Sequence, residues 1–320
     1  MQQIIDVLDI DTPLTSMISS GTAGNSYHEW TKRIYQPAGF NAVVDGDDAT
    51  TYNEKVGARV GNHCQISRKV IAVTTRARQS DTIGYSDEFA ENLMVQTEQL
   101  RRDVEYISMS NQGSQTDDGD ATPGLVGGLN AWLTTNTVRG VGGLDGGFAN
   151  GQVTGATLGT PEALTETAIR DVCQSIYDQG FNPSVLMCRP AVQRKLSEYM
   201  FTDAARIGIQ QTETGKGGAS TAVGSVKIFI TDFDVELMFK PNRLQPTMDA
   251  PSTALNDSVF ILDPAQLEHA YLHNYRTEPL AKLGLSDRSQ VAVDWTLVVK
   301  AEEGCGVVAD VDATADVIAG

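Results

Sequence analysis

No stretch of this 320-residue sequence approaches the ~18 uninterrupted apolar residues of a membrane helix. The start, Met1-Gln-Gln-Ile-Ile-Asp, has neither the basic region nor the apolar run of a secretory signal, so a cytoplasmic protein is expected. Cations are scarce: 24 Lys and Arg stand against 41 Asp and Glu, a net charge of −17. That balance excludes broad phosphate binding, which needs a basic surface. The four cysteines, Cys64, Cys173, Cys188 and Cys305, form no C-x-x-C pair. They read as small core residues in a reducing compartment rather than a disulfide or zinc framework.

Catalytic patterns are missing too. His28-Glu29-Trp30 lacks the second histidine of H-E-x-x-H, and there is no G-x-S-x-G nucleophile elbow. His269 and His273 are four apart in a strand-like segment, where that spacing does not converge on a metal. Asp117, Asp118 and Asp120 lack the distal Glu of a calcium loop and read as a solvated turn. No cofactor is expected. Residues 113–160 hold 13 of the 30 glycines with one arginine and no lysine, which suits an irregular connection rather than a phosphate cradle. Gly215-Lys216-Gly217 likewise lacks P-loop spacing and reads as a loop tip.

What is present is an α+β pattern. Thr12 and Pro13 can start a short helix. Residues 28–35 and 65–75 read as two strands separated by a polar stretch, 37–61, too long for a tight hairpin. From Thr31 to Arg78 there are eight basic residues (Lys32, Arg33, Lys55, Arg59, Arg68, Lys69, Arg76, Arg78) and four acidic ones, +4 against −21 for the rest. Either this is a solvated polar hairpin, or a basic arm that lies on an acidic neighbour; the charge contrast favours the arm.

Residues 86–111 carry one apolar stripe, Phe89, Leu93, Leu100, Val104 and Ile107, and predict a helix about 39 Å long. Thr160 and Pro161 open a second helix that stops at Gly180, followed by a buried strand at 185–188 and a helix from Pro190 to Met200. Strands follow: a hairpin from 226–230 and 235–240, then 259–262, 270–272 and 290–300. In the last, Val291, Val293, Trp295, Leu297 and Val299 alternate as in a half-buried strand. The polar tail after Asp310 is expected to fray.

An ordered set of segments carries a family resemblance. They are Thr12-Pro13-Leu14-Thr15-Ser16-Met17-Ile18, Asn25–Trp30, Asn41–Val44, Gly61–Lys69, Leu100-Arg101-Arg102-Asp103-Val104-Glu105, Gly128–Leu133, Pro241-Asn242-Arg243, Phe260–Pro264 and Thr277–Gly284. Together they resemble tailed-bacteriophage major capsid proteins of the Hong Kong 97-like fold.

The resemblance implies an N-arm at 1–27, an extended loop and its base at 28–78, and a peripheral domain at 79–159 with the 86–111 helix as spine. It further implies an axial domain at 160–255, with the loop tip Gly215, Lys216, Gly217, and peripheral strands and tail at 256–320. It implies hexamers and pentamers of an icosahedral shell around double-stranded DNA, each loop lying on the next subunit, in a virion built in the bacterial cytoplasm. Portal and decoration proteins would be partners. No room for a cleavable scaffolding domain precedes the arm, so a separate scaffold protein is expected. Some members cross-link through Lys–Asn isopeptide bonds; Lys55 lies in the loop, and no cross-link is predicted. An encapsulin-like compartment and a soluble α+β enzyme are the rival readings.

Overall fold

A computed structural model describes residues 11–35, 37–48, 56–80, 87–200, 228–231, 233, 235–247 and 256–318. The elements in chain order are α1 (Pro13–Met17), β1 (Ser19–Thr22), β2 (Tyr27–Ile34), β3 (Val56–His63), β4 (Gln65–Thr74), α2 (Thr75–Gln79) and α3 (Glu88–Ser108). Then come α4 (Leu129–Trp132), β5 (Thr137–Val138), β6 (Gly147–Ala149), β7 (Gln152–Thr154), α5 (Glu166–Asp178), β8 (Val185–Cys188), α6 (Pro190–Met200), β9 (Ile228–Ile230) and β10 (Glu236–Pro241). β11 (Asn256–Leu262), β12 (Leu267–Leu280), β13 (Ser286–Val299) and β14 (Gly306–Asp312) close the chain.

Two sheets organise the body: a four-stranded one in the order β1-β12-β13-β4, and a six-stranded one in the order β5-β14-β11-β8-β10-β9. The spine helix α3 lies on the first. It is capped by Asp87, whose side chain accepts from the Phe89 amide, and at 21 residues it is about 32 Å long, shorter than the sequence suggests. Its stripe works as expected: Leu100 and Val104 are buried, and Phe89, Leu93 and Ile107 pack on the same cluster as Ile71, Val73, Val291, Val293, Trp295 and Leu297. The opposite face of β13 is also covered, with Ala292 and Val298 buried, so the strand is not half-exposed.

The six-stranded sheet divides two cores by strand alternation. Val185, Met187, Phe260 and Leu262 face the spine-helix core. Leu186, Cys188, Val259 and Ile261 face a second core under α5 and α6, with Ile169, Ile176 and Leu196. Because β5, β11 and β14 join this sheet from outside 160–255, the chain boundary at 255 is not a boundary in the sheet.

Several sequence expectations need correction. The second strand of the arm is β3, not the segment at 65–75: β2 and β3 pair from Tyr27↔His63 to Ile34↔Val56. β4 instead pairs with β13 in the body. Val56-Gly-Ala-Arg-Val-Gly holds two glycines and little apolar side chain, so strand pairing, not composition, makes it extended. The charge reading changes with it. Between Tyr27 and His63 there are four basic residues (Lys32, Arg33, Lys55, Arg59) and five acidic ones (Glu29, Asp45, Asp47, Asp48, Glu54), a net −1 rather than +4. The α5 cap is Thr165, which accepts from the Ala168 amide, not Thr160. The stop at Gly180 (φ +90°) is as expected. The tail does not fray after Asp310: β14 is buried, Val317 belongs to the second core, and Ile318 bridges to Thr165.

Candidate functional site

The described residues present two buried polar junctions and one outlying arm, rather than a catalytic cleft. No group of three or more His, Cys, Asp or Glu side chains among them could hold a metal ion.

The first junction centres on Glu105 of the spine helix. Short helices need acceptors for their first amide groups, and Thr12 makes no side-chain cap for α1, contrary to its sequence promise. Glu105, fully buried, supplies them from 90 residues away. It accepts from the Leu14 amide at 2.7 Å, the Thr15 amide at 2.8 Å and the Thr15 hydroxyl at 2.7 Å. A carboxylate at a helix N-terminus also meets the positive end of the peptide dipoles. Asn242, equally buried, donates its Nδ2 to Glu105 at 2.7 Å. Beyond the junction, β1 runs parallel to β12, from Ser19↔Glu268 to Thr22↔Tyr271. Three motifs that look independent in sequence, Thr12–Ile18, Leu100–Glu105 and Pro241–Arg243, thus meet at one carboxylate.

The second junction fixes the base of the arm. Asn62, fully buried, donates to the carbonyls of Leu297 (2.8 Å) and Gly127 (3.1 Å), and its Oδ1 accepts from the amides of Gly127 (2.9 Å) and His63 (3.0 Å). The approach is tight: a Cβ at Gly128 would stand 2.2 Å from the Ser110 carbonyl oxygen, so only glycine fits after the spine helix. Trp30 of β2 lies 5.6 Å from Trp132, which stacks on Phe148. Lys32 of β2 pairs with Glu303, and Glu302 beside it accepts from Thr134 and Thr135.

His269 and the four cysteines lie in buried, structural environments. His269 is fully buried against α3, with Nε2 2.9 Å from the Ser108 hydroxyl and its ring edge-on to Trp295; burial lowers its pKa to about 4. Burial pushes the thiols of Cys64, Cys173, Cys188 and Cys305 up to about 12, which keeps them protonated and unreactive. The turn at 117–122 is self-bonded: Asp118 accepts from Thr122 and the Asp120 amide, which lowers its pKa to about 2.

The residues singled out in sequence scatter. Lys32 and Arg59 sit on the arm, Arg59 within 3.8 Å of Glu29, and Arg33 is exposed near the arm's outer end. Arg68 and Lys69 lie on β4 in the body, Lys69 paired with Asp103 of the spine at 2.6 Å. Lys55 and the tip Gly215, Lys216, Gly217 lie outside the described residues. Glu105, Asn62 and Asn242 were missed, because the partners that join them to other segments (Leu14 and Asn242 for Glu105, Gly127 and Leu297 for Asn62) are more than 60 residues distant in sequence; the one local hint was a predicted helix start at Thr12 with no capping box.

A family model described as SU10 major capsid protein matches residues 1–312. The major capsid protein of Escherichia phage Phieco32 is 27% identical over 215 residues, which make up 57% of this chain and 60% of that protein. The chain therefore spans less than two thirds of that relative's length. Among solved structures, the holo-SrpI encapsulin complex of Synechococcus elongatus PCC 7942 matches with a TM-score of 0.59 at 11% identity, over 99% of this chain and 94% of that one. A chain from Mycobacterium phage Bobi matches at 0.57 and 12%, over 96% and 95%. At such identities the two solved structures speak for the fold alone.

Proposed function

The chain belongs to the SU10 major capsid protein family and has the Hong Kong 97-like capsid fold, and from that premise we propose that its copies assemble into hexamers and pentamers of an icosahedral shell around double-stranded DNA. The observation that carries the reading is the arm. Among the described residues the ribbon β2–β3 is held to the body along its inner part, through Asn62, Trp30 and the Lys32–Glu303 pair, and residues 37–48 beyond it are all exposed. A ribbon with no core of its own needs a second surface. A neighbouring subunit provides one, and obligate assemblies bury thousands of Å² in such contacts, on the order of 2,000–5,000 Å².

In this reading the protein is structural and not an enzyme. Its partners are copies of itself, a separate scaffold protein, a portal and decoration proteins, and it acts in the virion after assembly in the bacterial cytoplasm. The net charge of −17 keeps packaged DNA from adhering to the wall. The fold likeness to an encapsulin supports a second reading, a shell that encloses protein instead.

Expression alone and with candidate scaffold genes, followed by light scattering and negative-stain microscopy, tests assembly. Rings, tubes or closed shells that vanish when residues 37–48 are deleted agree with the proposal. A monomer or dimer under every condition contradicts it. Nucleic acid inside particles recovered from infected cells separates the first reading from the second.

A further inference from the structure

A cavity of about 230 Å³ lies at the root of the arm. Three segments line it: the arm base gives Ser26 and His63, the four-stranded sheet gives Ile66 and Asp294, and the turn after the spine helix gives Thr116 and Asp117. Ile66 of β4 and Asp294 of β13 are cross-strand partners, on the face turned away from the spine helix. Gly124 brings the turn against the arm root: a Cβ there would stand 3.0 Å from the Cys64 carbonyl oxygen. Asp294 is the group without a partner. Its Oδ1 is covered and accepts no hydrogen bond, and among the described residues the side chain makes no ion pair. Burial pushes its pKa up, and the basic groups His273 and Arg276 pull it back only in part. Arg276 is itself held by Glu278 at 3.1 Å. A desolvated carboxylate that meets no donor is costly until something neutralises it.

The occupant that fits is a cation with N–H donors. Asp294 and Asp117 supply the negative charge, and Asp117 commits only Oδ1, to the Gly119 amide at 2.8 Å. The Ser26 and Thr116 hydroxyls are further acceptors. His63, with Nε2 3.3 Å from the Thr116 hydroxyl, has its pKa lowered by burial. Its ring is therefore neutral at pH 7 and adds no opposing charge. No group of three or more His, Cys, Asp or Glu side chains among the described residues could hold a metal ion, so this set suits hydrogen bonding rather than coordination. A primary ammonium has three donors on a compact head. Its alkyl stem finds Ile66 and Pro123 on the apolar side of the cavity. We propose that the cavity binds a primary alkylammonium group, its head between Asp294 and Asp117 and its stem on Ile66. The bound ligand joins arm base, sheet and turn at one point and so stiffens the root of the arm. The site is complete within one chain and does not depend on the shell reading.

The test titrates the full, unassembled chain with butylammonium chloride at pH 7. The four histidines carry ¹⁵N and are assigned by substitution. The His63 ring signals are expected to shift and saturate at millimolar ligand, while those of His28 and His269 hold. Tetramethylammonium, which has the charge but no N–H donor, is expected to leave His63 in place. Asp294→Asn is expected to weaken binding about tenfold, the scale of one charge-assisted hydrogen bond. Asp117→Asn, on the exposed turn, serves as the second variant and is expected to weaken it by a similar factor. Equal shifts with tetramethylammonium, or unchanged affinity in either variant, overturn the proposal. So does the absence of any saturable shift, which would mean that Asp294 is neutralised within the chain, by Arg68 two positions along β4 from Ile66 or by its own proton. Repeating the titration on assembled particles separates the two sources of the group: a free amine still binds, whereas a lysine of an adjoining chain excludes butylammonium and is itself spared by an acylating reagent.

Discussion

Replacement of Glu105 by alanine should release the N-terminal arm without unfolding the body. The carboxylate accepts four hydrogen bonds, from the Leu14 amide, the Thr15 amide and hydroxyl, and Asn242 Nδ2. Thr15 is only half-buried, so water can replace its partner, but Leu14 and Asn242 are fully buried. Hydrogen bonds to a charged group contribute about 1.5–3 kcal/mol each, and the two buried donors would be left without an acceptor. Counting those two alone, the expected loss is about 3–6 kcal/mol. The loss is local, because α1 and β1 are held to the body at this carboxylate, along β12 and by Leu14 and Ile18 in the first core, and the rest of that core does not depend on Glu105. Hydrogen exchange on the unassembled subunit reads it directly: amides of 14–22 should exchange about 100 to 10,000 times faster, while those of β13 stay unchanged. Glu105→Gln keeps one acceptor oxygen and should lose about half as much. Unchanged exchange at 14–22 in the alanine variant would refute the clamp.

Three further outcomes follow from the same geometry. Asn62→Ala removes four hydrogen bonds at the arm base and should cost about 2–4 kcal/mol in chemical denaturation, with the Gly127 amide newly exchanging. Trp295→Ala, at the centre of the first core and fully buried, should cost about 3–5 kcal/mol by the same measurement. His269 has its folded pKa lowered to about 4 from 6.5 by burial. Below pH 6.5 the unfolded chain takes up a proton that the folded chain refuses, so stability is complete above pH 6.5 and falls toward pH 4, by roughly 3 kcal/mol. The His269→Gln chain should show a shallower fall over that range, and identical slopes would exclude His269 as the cause.

Much of the body is legible in the sequence because local pattern and final packing agree there. The five alternating residues of β13 and the stripe of α3 face each other in one core, and each pattern alone predicts its face. The hairpin of β9 and β10 and the run β8–α6 are legible for the same reason. β3 is not, because its extension is imposed by pairing with β2 rather than by its own two valines. The end of β14 reads as tail, since the chain from Asp310 onward looks polar until the strand is seen buried between β5 and β11. The two junctions are the least legible part. Glu105 sits beside the apolar stripe of an amphipathic helix, where a glutamate ordinarily faces water, and only the arrival of α1 and Asn242 from distant segments makes it a buried acceptor. The family resemblance marked those segments without saying that they touch.

The proposed assembly has copies of this chain closing a shell, each arm reaching a neighbour. Cryo-electron microscopy of particles assembled with the scaffold tests it most directly. Five- and six-membered rings in an icosahedral lattice are expected, with density for the β2–β3 ribbon crossing onto the adjacent subunit and α1 held at Glu105. Particles in which the ribbon folds back on its own subunit, or a chain that yields only monomers and dimers, would contradict it.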